Sequence, residues 1–151
     1  MKLAILRSMR EEHDALHAEF LRASKEPDAV GAAATELMQL MKPHIDKEER
    51  YGLPPLALLA PLAQGEIHPD MGEVLEVTER LKAELPAMLE EHKSIGQALH
   101  GLIEAARKHD RVELAELAHR LVHHMRLEEE VVYPASLLVG EIVALKLGLK
   151  R

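Results

Sequence analysis

The chain has 151 residues, and its 47% hydrophobic content can supply one domain with a continuous core. It contains no cysteine, which excludes disulfides, iron–sulfur clusters and thiolate zinc sites, so any bound metal must use nitrogen and oxygen ligands. A net charge of -7 without a run of Lys or Arg argues against nucleic acid and against anionic membranes as partners.

The composition also predicts the fold class. There is one Phe, there are two Tyr and there is no Trp, so the core must be aliphatic, and this favours helices. The first residues, MKLAILRSMREE, contain a four-residue apolar run that is too short for a signal peptide or a membrane span. We therefore expect an all-α protein in the cytoplasm.

Apolar residues at helical spacing predict four long helices, and each inward stripe contains a histidine. The stripes run over 9–20, 30–48, 81–106 and 114–131, and their histidines are His13, His44, His92 and His124. A short C-terminal helix over 135–149 is expected to pack through Leu138, Ile142, Leu145 and Leu149. The predicted fold is a four-helix bundle with this short helix added.

The sequence also carries signals for helix starts and interruptions. Capping-box patterns occur at Ser8-x-x-Glu11, Asp70-x-x-Glu73 and Asp110-x-x-Glu113, and Asp28 is a further N-cap candidate. Proline removes a helical hydrogen bond, so Pro43 and Pro86 are expected to kink or split their helices. The Pro-rich segment 53–69 is predicted to be a connection with one short helical turn.

An internal repeat organises the chain. The pattern His-x-x-x-Glu-Glu-x-x-x-x-Pro begins at His44 and again at His124, and Glu-Glu-His precedes these positions at Glu11-Glu12-His13 and Glu90-Glu91-His92. We therefore expect a single domain, 1–151, built from two helical hairpins at about 8–54 and 70–134.

The repeated residue types predict a metal site. Residues four apart share a helix face, so His44 with Glu48, and His124 with Glu128, point into one volume. His13 and His92 would bring the set to four nitrogens and two carboxylates. Burying unpaired carboxylates costs several kcal/mol, so this set suits a pair of divalent ions, and its ligand types suit iron chemistry with dioxygen.

These motifs together resemble the hemerythrin-like, HHE cation-binding domain, and the resemblance covers roughly 8–134. It implies an up-down-up-down bundle that holds a non-haem di-iron centre. In that family's arrangement His13 and His44 would bind one iron, His92 and His124 the other, and Glu48 and Glu128 would bridge them. Zinc or manganese is the alternative filling, because nitrogen and oxygen ligand sets are not selective by themselves.

The sequence departs from the oxygen-carrying hemerythrins at one position. Those proteins have a second histidine four residues after the first on the third helix, whereas here that residue is Gly96. The repeat maps Gly96 onto His17, four residues after His13, so His17 is a candidate fifth imidazole ligand. The alternative is that His17 lies at the edge of the site and hydrogen-bonds to a carboxylate.

Other residues near the motifs receive structural interpretations. Glu12, Glu91 and Glu129 are expected to be solvated or hydrogen-bonded to the ligands rather than ligating. Tyr51 and Tyr133 each lie just before a repeat proline, where they are expected to cap the end of the bundle. The alternative is that they donate a hydrogen bond toward the site.

The expected function is binding of dioxygen or a related small molecule at the di-iron centre. The alternatives are an enzyme that acts on peroxide or nitric oxide, and an iron storage or sensing module. Binding is favoured over catalysis, and the question of enzymatic activity stays open. The sequence does not choose between a monomer and a homodimer.

Overall fold

The computed structural model describes residues 3–149, and every regular element in this range is helical. The α-helices of this range are α1 (Arg7–Ala23), α2 (Ala29–Lys47), α3 (Leu59–Ala63), α4 (Val74–Lys108), α5 (Val112–Leu127) and α6 (Tyr133–Leu147). The predicted all-α class is confirmed for the described residues. The up-down-up-down order of the long helices stays a prediction.

The apolar core has one large part and two smaller parts. The large part joins α1, α2, α4 and α5 through buried side chains such as Phe20, Leu37, Leu99 and Leu117. A second cluster, which includes Val74, Val139 and Val143, packs α6 on the start of α4. A third contains Tyr51, Leu81, Met88 and Tyr133. Within the described range, no helix combines the length and the apolar character needed to cross a bilayer.

Only one of the predicted N-caps is confirmed. Asp28 caps α2, and its Oδ1 accepts a hydrogen bond from the Val30 N–H at 2.9 Å. The helices α1, α4 and α5 begin without a side-chain cap, so the three capping-box predictions are wrong. Asp70 lies inside a 3₁₀ turn, Pro69–Glu73, and Asp110 has a left-handed φ of 54°, so neither is placed to cap the following helix.

The prolines interrupt the helices less than expected. Pro43 lies inside α2 and Pro86 lies inside α4, which is one helix of 35 residues, so neither proline splits its helix. The segment 53–69 contains both a 3₁₀ turn, Pro54–Leu58, and the short helix α3, one turn more than predicted.

The packed side of α6 differs from the prediction. Ser136, Val139 and Val143 are buried, while Leu138 and Leu145 are 56% and 79% exposed, so the predicted packing face is wrong. Since α6 is apolar on all sides, periodicity cannot select its inner face. The buried side includes the small residues Gly140 and Ala144, which allow close approach to the neighbouring elements.

Both copies of the sequence repeat change helix type at the same position. A π-helical turn spans Glu48–Gly52 in the first copy and Glu128–Val132 in the second. In the first, the Leu53 N–H donates to the Glu48 carbonyl at 2.8 Å; in the second, the Tyr133 N–H donates to the Glu128 carbonyl. A proline without an N–H follows each turn, and π turns of this kind often occur at functional sites.

Candidate metal centre

Four histidines from four different helices meet inside the bundle. His13, His44 and His92 are buried on α1, α2 and α4, and His124 on α5 is almost buried. The Nε2 atoms of His44 and His92 are 2.8 Å apart, and those of His13 and His124 are 3.3 Å apart. The imidazoles therefore form two pairs with their Nε2 atoms facing each other.

Two glutamates lie between these pairs. Glu48 and Glu128 are 1% and 2% exposed. Glu128 Oε1 is 2.5 Å from His124 Nε2 and 3.5 Å from His13 Nε2. Its Oε2 is 3.2 Å from His92 Nε2. Glu48 lies 3.7 Å from His44 and 3.8 Å from His13. Each carboxylate thus reaches one histidine or more of each pair.

The side chains form two groups that could each hold a metal ion. The first group is His44, Glu48, His92 and Glu128, and the second is His13, His124 and Glu128, with the ligand atoms of each group within 4.8 Å of one another. This grouping differs from the expected pairing of His13 with His44 and of His92 with His124. The repeat relates His13 to His92 and His44 to His124, so both pairings obey the same two-fold symmetry, and only the packing distinguishes them.

Glutamates outside the two groups orient three of the histidines. The Nδ1–H of His44 donates to Glu91 and that of His92 donates to Glu129, both at 2.8 Å. The Nδ1–H of His124 donates to Glu12 at 3.1 Å. Such a bond fixes the ring and leaves the Nε2 lone pair free for a cation, which is the usual arrangement around metal-binding histidines. Lys47 also donates to Glu91.

His17 lies outside both groups. Its side chain is exposed, and with His13 it lines a depression of about 200 Å³ beside α2. At Gly96, where the oxygen carriers have their second histidine, an added Cβ would meet nothing within 4 Å, so the position is open. Ligation by His17 stays a prediction. Among the described residues the buried Nδ1 of His13 has no hydrogen-bond partner, unlike the Nδ1 atoms of His44, His92 and His124.

The electrostatics of the centre also suit a cation. Burial, with the nearby charge of Glu128, raises the pKa of Glu48 well above its ordinary value. Burial would also raise the pKa of Glu128, but hydrogen bonds from His124, His13 and His92 outweigh burial and lower it. Burial lowers the pKa of His44 and so favours its neutral, metal-binding form. In the metal-free centre these pKa shifts favour the neutral form of Glu48 and the ionised form of Glu128.

Tyr133 is part of this centre, a role predicted from the sequence only as the alternative to capping the end of the bundle. Its side chain is fully buried, and its hydroxyl donates to Glu48 Oε1 at 2.5 Å. The same oxygen lies 3.3 Å from Nε2 of His44 and 3.3 Å from Nε2 of His92. Tyr51, which is also buried, interacts with Arg80 and Glu84 instead. The signal that distinguishes Tyr133 is a break in the repeat, since the other copy has Leu53 at this position.

A small apolar cavity of about 30 Å³ adjoins the centre. The apolar residues around it are Leu16, Met41, Ile45, Ile95, Leu121 and Met125, and the site residues that line it are His13, His44, Glu48, His124 and Glu128. A cavity holds one water above about 15 Å³, so this one has room for a very small molecule.

The helical fold and the buried cluster of imidazoles and carboxylates define a cation-binding protein with nitrogen and oxygen ligands. The profile of the hemerythrin HHE cation-binding domain matches residues 4–136, and the chain belongs to this family. The resemblance that the motifs indicated is therefore confirmed. No curated protein and no solved structure is similar enough to the chain to count as a match.

Proposed function

We propose that the protein holds two iron ions in this centre and binds dioxygen or a related small molecule beside them. The observation that supports this most is the position of Glu128, which belongs to both candidate groups and could therefore join two ions. The ligand types suit iron, with zinc or manganese as the alternative filling.

In this proposal the ligands divide between the ions as the two groups do. His44, His92, Glu48 and Glu128 would hold one ion, and His13, His124 and Glu128 would hold the other. When bound at these residues, a pair of ferrous ions would supply two electrons for the reduction of an oxidant. Glu12, Glu91 and Glu129 keep three of the imidazoles in position for this, and the proposed bundle order, up-down-up-down, would place one ligand histidine on each long helix.

The cavity determines what can reach the ions. With a volume of about 30 Å³ and six apolar side chains in its wall, it admits a diatomic molecule or peroxide and excludes larger substrates. The apolar wall also limits the water around the ligands, which strengthens their electrostatic interaction with the ions.

Catalysis on peroxide or nitric oxide is the second candidate function. The group of His13, His124 and Glu128 has three protein ligands while the other has four, which leaves more room for a substrate at the first of these ions. Steady-state peroxide consumption by iron-loaded protein separates the two functions, since simple binding gives a reversible optical change without turnover.

Iron analysis of protein loaded with ferrous iron and exposed to air tests the proposal. We expect two irons per native chain and a loss of at least one in Glu128→Ala, because Glu128 belongs to both groups. The matched control is Glu130→Ala, which removes an exposed glutamate two residues along the same turn and should keep both irons. Native protein that takes up no iron, or Glu128→Ala protein that keeps both, would contradict the proposal.

A further inference from the structure

A tyrosine hydroxyl lies among the atoms of the first candidate group. The Oη of Tyr133 is within 3.3 Å of His44 Nε2, His92 Nε2 and Glu48 Oε1, and these three atoms belong to the group that also includes Glu128. An aromatic side chain in the core needs one hydrogen-bond partner for its hydroxyl. The hydroxyl of Tyr133 has three such neighbours, all of them candidate ligand atoms, so the need for one hydrogen-bond partner does not explain its position.

The spacing of these atoms matches that of ligands around one ion. When metal–nitrogen and metal–oxygen bonds are about 2.1 Å long, neighbouring ligand atoms lie about 3.0–3.4 Å apart, according to the coordination geometry. The Nε2 atoms of His44 and His92 are 2.8 Å apart, and Tyr133 Oη is 3.3 Å from each. Two edges of this triangle lie in the range for one face of a coordination shell, and the third is about 0.2 Å shorter than the range.

We infer that Tyr133 is a further ligand, binding through its phenolate oxygen to the ion that His44, His92, Glu48 and Glu128 hold. The inference rests on the proposed metal centre and adds a residue to it. Coordination replaces the O–H bond of the phenol with an O–metal bond, and the proton leaves to solvent, as it does for other protic ligands.

The consequence is a centre with two unequal ions. The repeat places Leu53, which cannot ligate, at the position equivalent to Tyr133. The first ion then has five protein ligands and the second has three. The apolar cavity is lined by all three residues of the second group and by three of the five proposed ligands of the first, but not by His92 or Tyr133, so the second ion has the larger share of its ligands at the cavity. Small molecules would bind at that second ion.

The visible spectrum of ferric-loaded protein tests the inference, because a phenolate bound to ferric iron gives a charge-transfer band. We expect the band in native protein and its complete loss in Tyr133→Phe, while at least one iron per chain and the helical circular dichroism remain. The matched control is Tyr51→Phe, which removes the other buried tyrosine and should keep the band. Resonance Raman excitation within the band should reveal tyrosine ring vibrations.

A labelled sample keeps the test valid even if Tyr133→Phe does not fold. The chain has only two tyrosines, so in Tyr51→Phe protein Tyr133 is the single one. Ring-deuterated tyrosine in that protein should shift the Raman vibrations. Full iron content without the band, or a band that persists in Tyr133→Phe, would overturn the inference and leave the proposed function intact. Absence of iron from the native protein would overturn both.

Discussion

At the scale of single residues, the centre depends on carboxylates that do not themselves reach the metal groups. Glu91 accepts from His44 Nδ1 at 2.8 Å and is held in turn by Lys47. Hydrogen bonds from Lys47 and His44 outweigh the opposing effect of burial and lower the pKa of Glu91, so it stays ionised. An ionised partner fixes the His44 tautomer and makes Nε2 a better electron donor.

Glu91→Gln should therefore weaken metal binding without removing a ligand. The amide keeps the shape of the side chain but loses the charge that holds His44, and changes of this kind lower metal affinity about 10–100-fold. Titration against a competing chelator measures the change. Glu90→Gln is the matched control, since Glu90 is 70% exposed on the same helix and pairs with Lys93. Equal affinity in both variants would show that Glu91 does not support the site.

The sequence predicts the residues of the candidate site well where the repeat is regular. Each copy supplies two histidines and one glutamate, with His-x-x-x-Glu at the same spacing in both, and the structure brings all six side chains together. For Tyr133 the contact with the site was only the alternative prediction, because this residue breaks the repeat and its counterpart Leu53 gives no matching signal. The sequence could not predict how the histidines divide into two groups. The two copies are related by symmetry, and this symmetry allows two equivalent pairings of the histidines.

At the scale of elements, the start of α2 depends on a close contact between the backbone at Gly31 and the carbonyl group of Glu26. A Cβ on Gly31 would lie 1.8 Å from the carbonyl oxygen of Glu26, so only glycine fits without movement of the backbone. Asp28 caps the same turn through the N–H groups of Val30 and Gly31. The cap and the glycine together fix the direction in which α2 leaves the turn and carries His44 toward the centre.

Gly31→Ala should therefore destabilise the protein despite the higher helix propensity of alanine. Overpacking of this kind costs about 1–3 kcal/mol in the free energy of unfolding. Gly101→Ala is the matched control, because an added Cβ there meets nothing within 4 Å, and it should stabilise by about 0.4–1 kcal/mol. Urea unfolding of both metal-free variants measures the difference. Stabilisation by Gly31→Ala would rule out the close approach.

Element boundaries were harder to predict than element types. The helices that begin at Arg7, Val74 and Val112 do not use the capping-box residues as N-caps. Tertiary packing overrides such local signals. The inner face of α6 could not be read from a segment that is apolar all round. The hydrophobic stripes of the long helices alternate with polar residues, and their periodicity was therefore informative.

At the scale of the whole molecule, the buried carboxyl of Glu48 lowers the stability of the metal-free fold at the pH values where it must either ionise or hold a proton. Glu48 is 1% exposed, and its pKa is raised, first by burial and then by Glu128. The metal-free folded state therefore binds a proton at Glu48 that the unfolded chain releases above the ordinary value of 4.5. Since the folded state binds more protons, this residue makes stability fall as pH rises from 4.5 toward the raised pKa.

Glu48→Gln protein should be at least as stable as native protein without metal and less stable than native protein with metal. Glutamine resembles the neutral carboxyl and still accepts from Tyr133, so the metal-free variant should melt at least as high as native protein, with the gap widening as pH rises above 4.5. After loading, native protein should melt higher, because only the carboxylate neutralises the ions and metal binding stabilises the folded state.

The matched control is Glu49→Gln, at the adjacent and more exposed residue, which should follow native protein in both states. Thermal melts at several pH values, with and without metal, measure both orders. A metal-free Glu48→Gln protein that melts well below native would mean that the charge at Glu48 stabilises the fold rather than being retained for the cation.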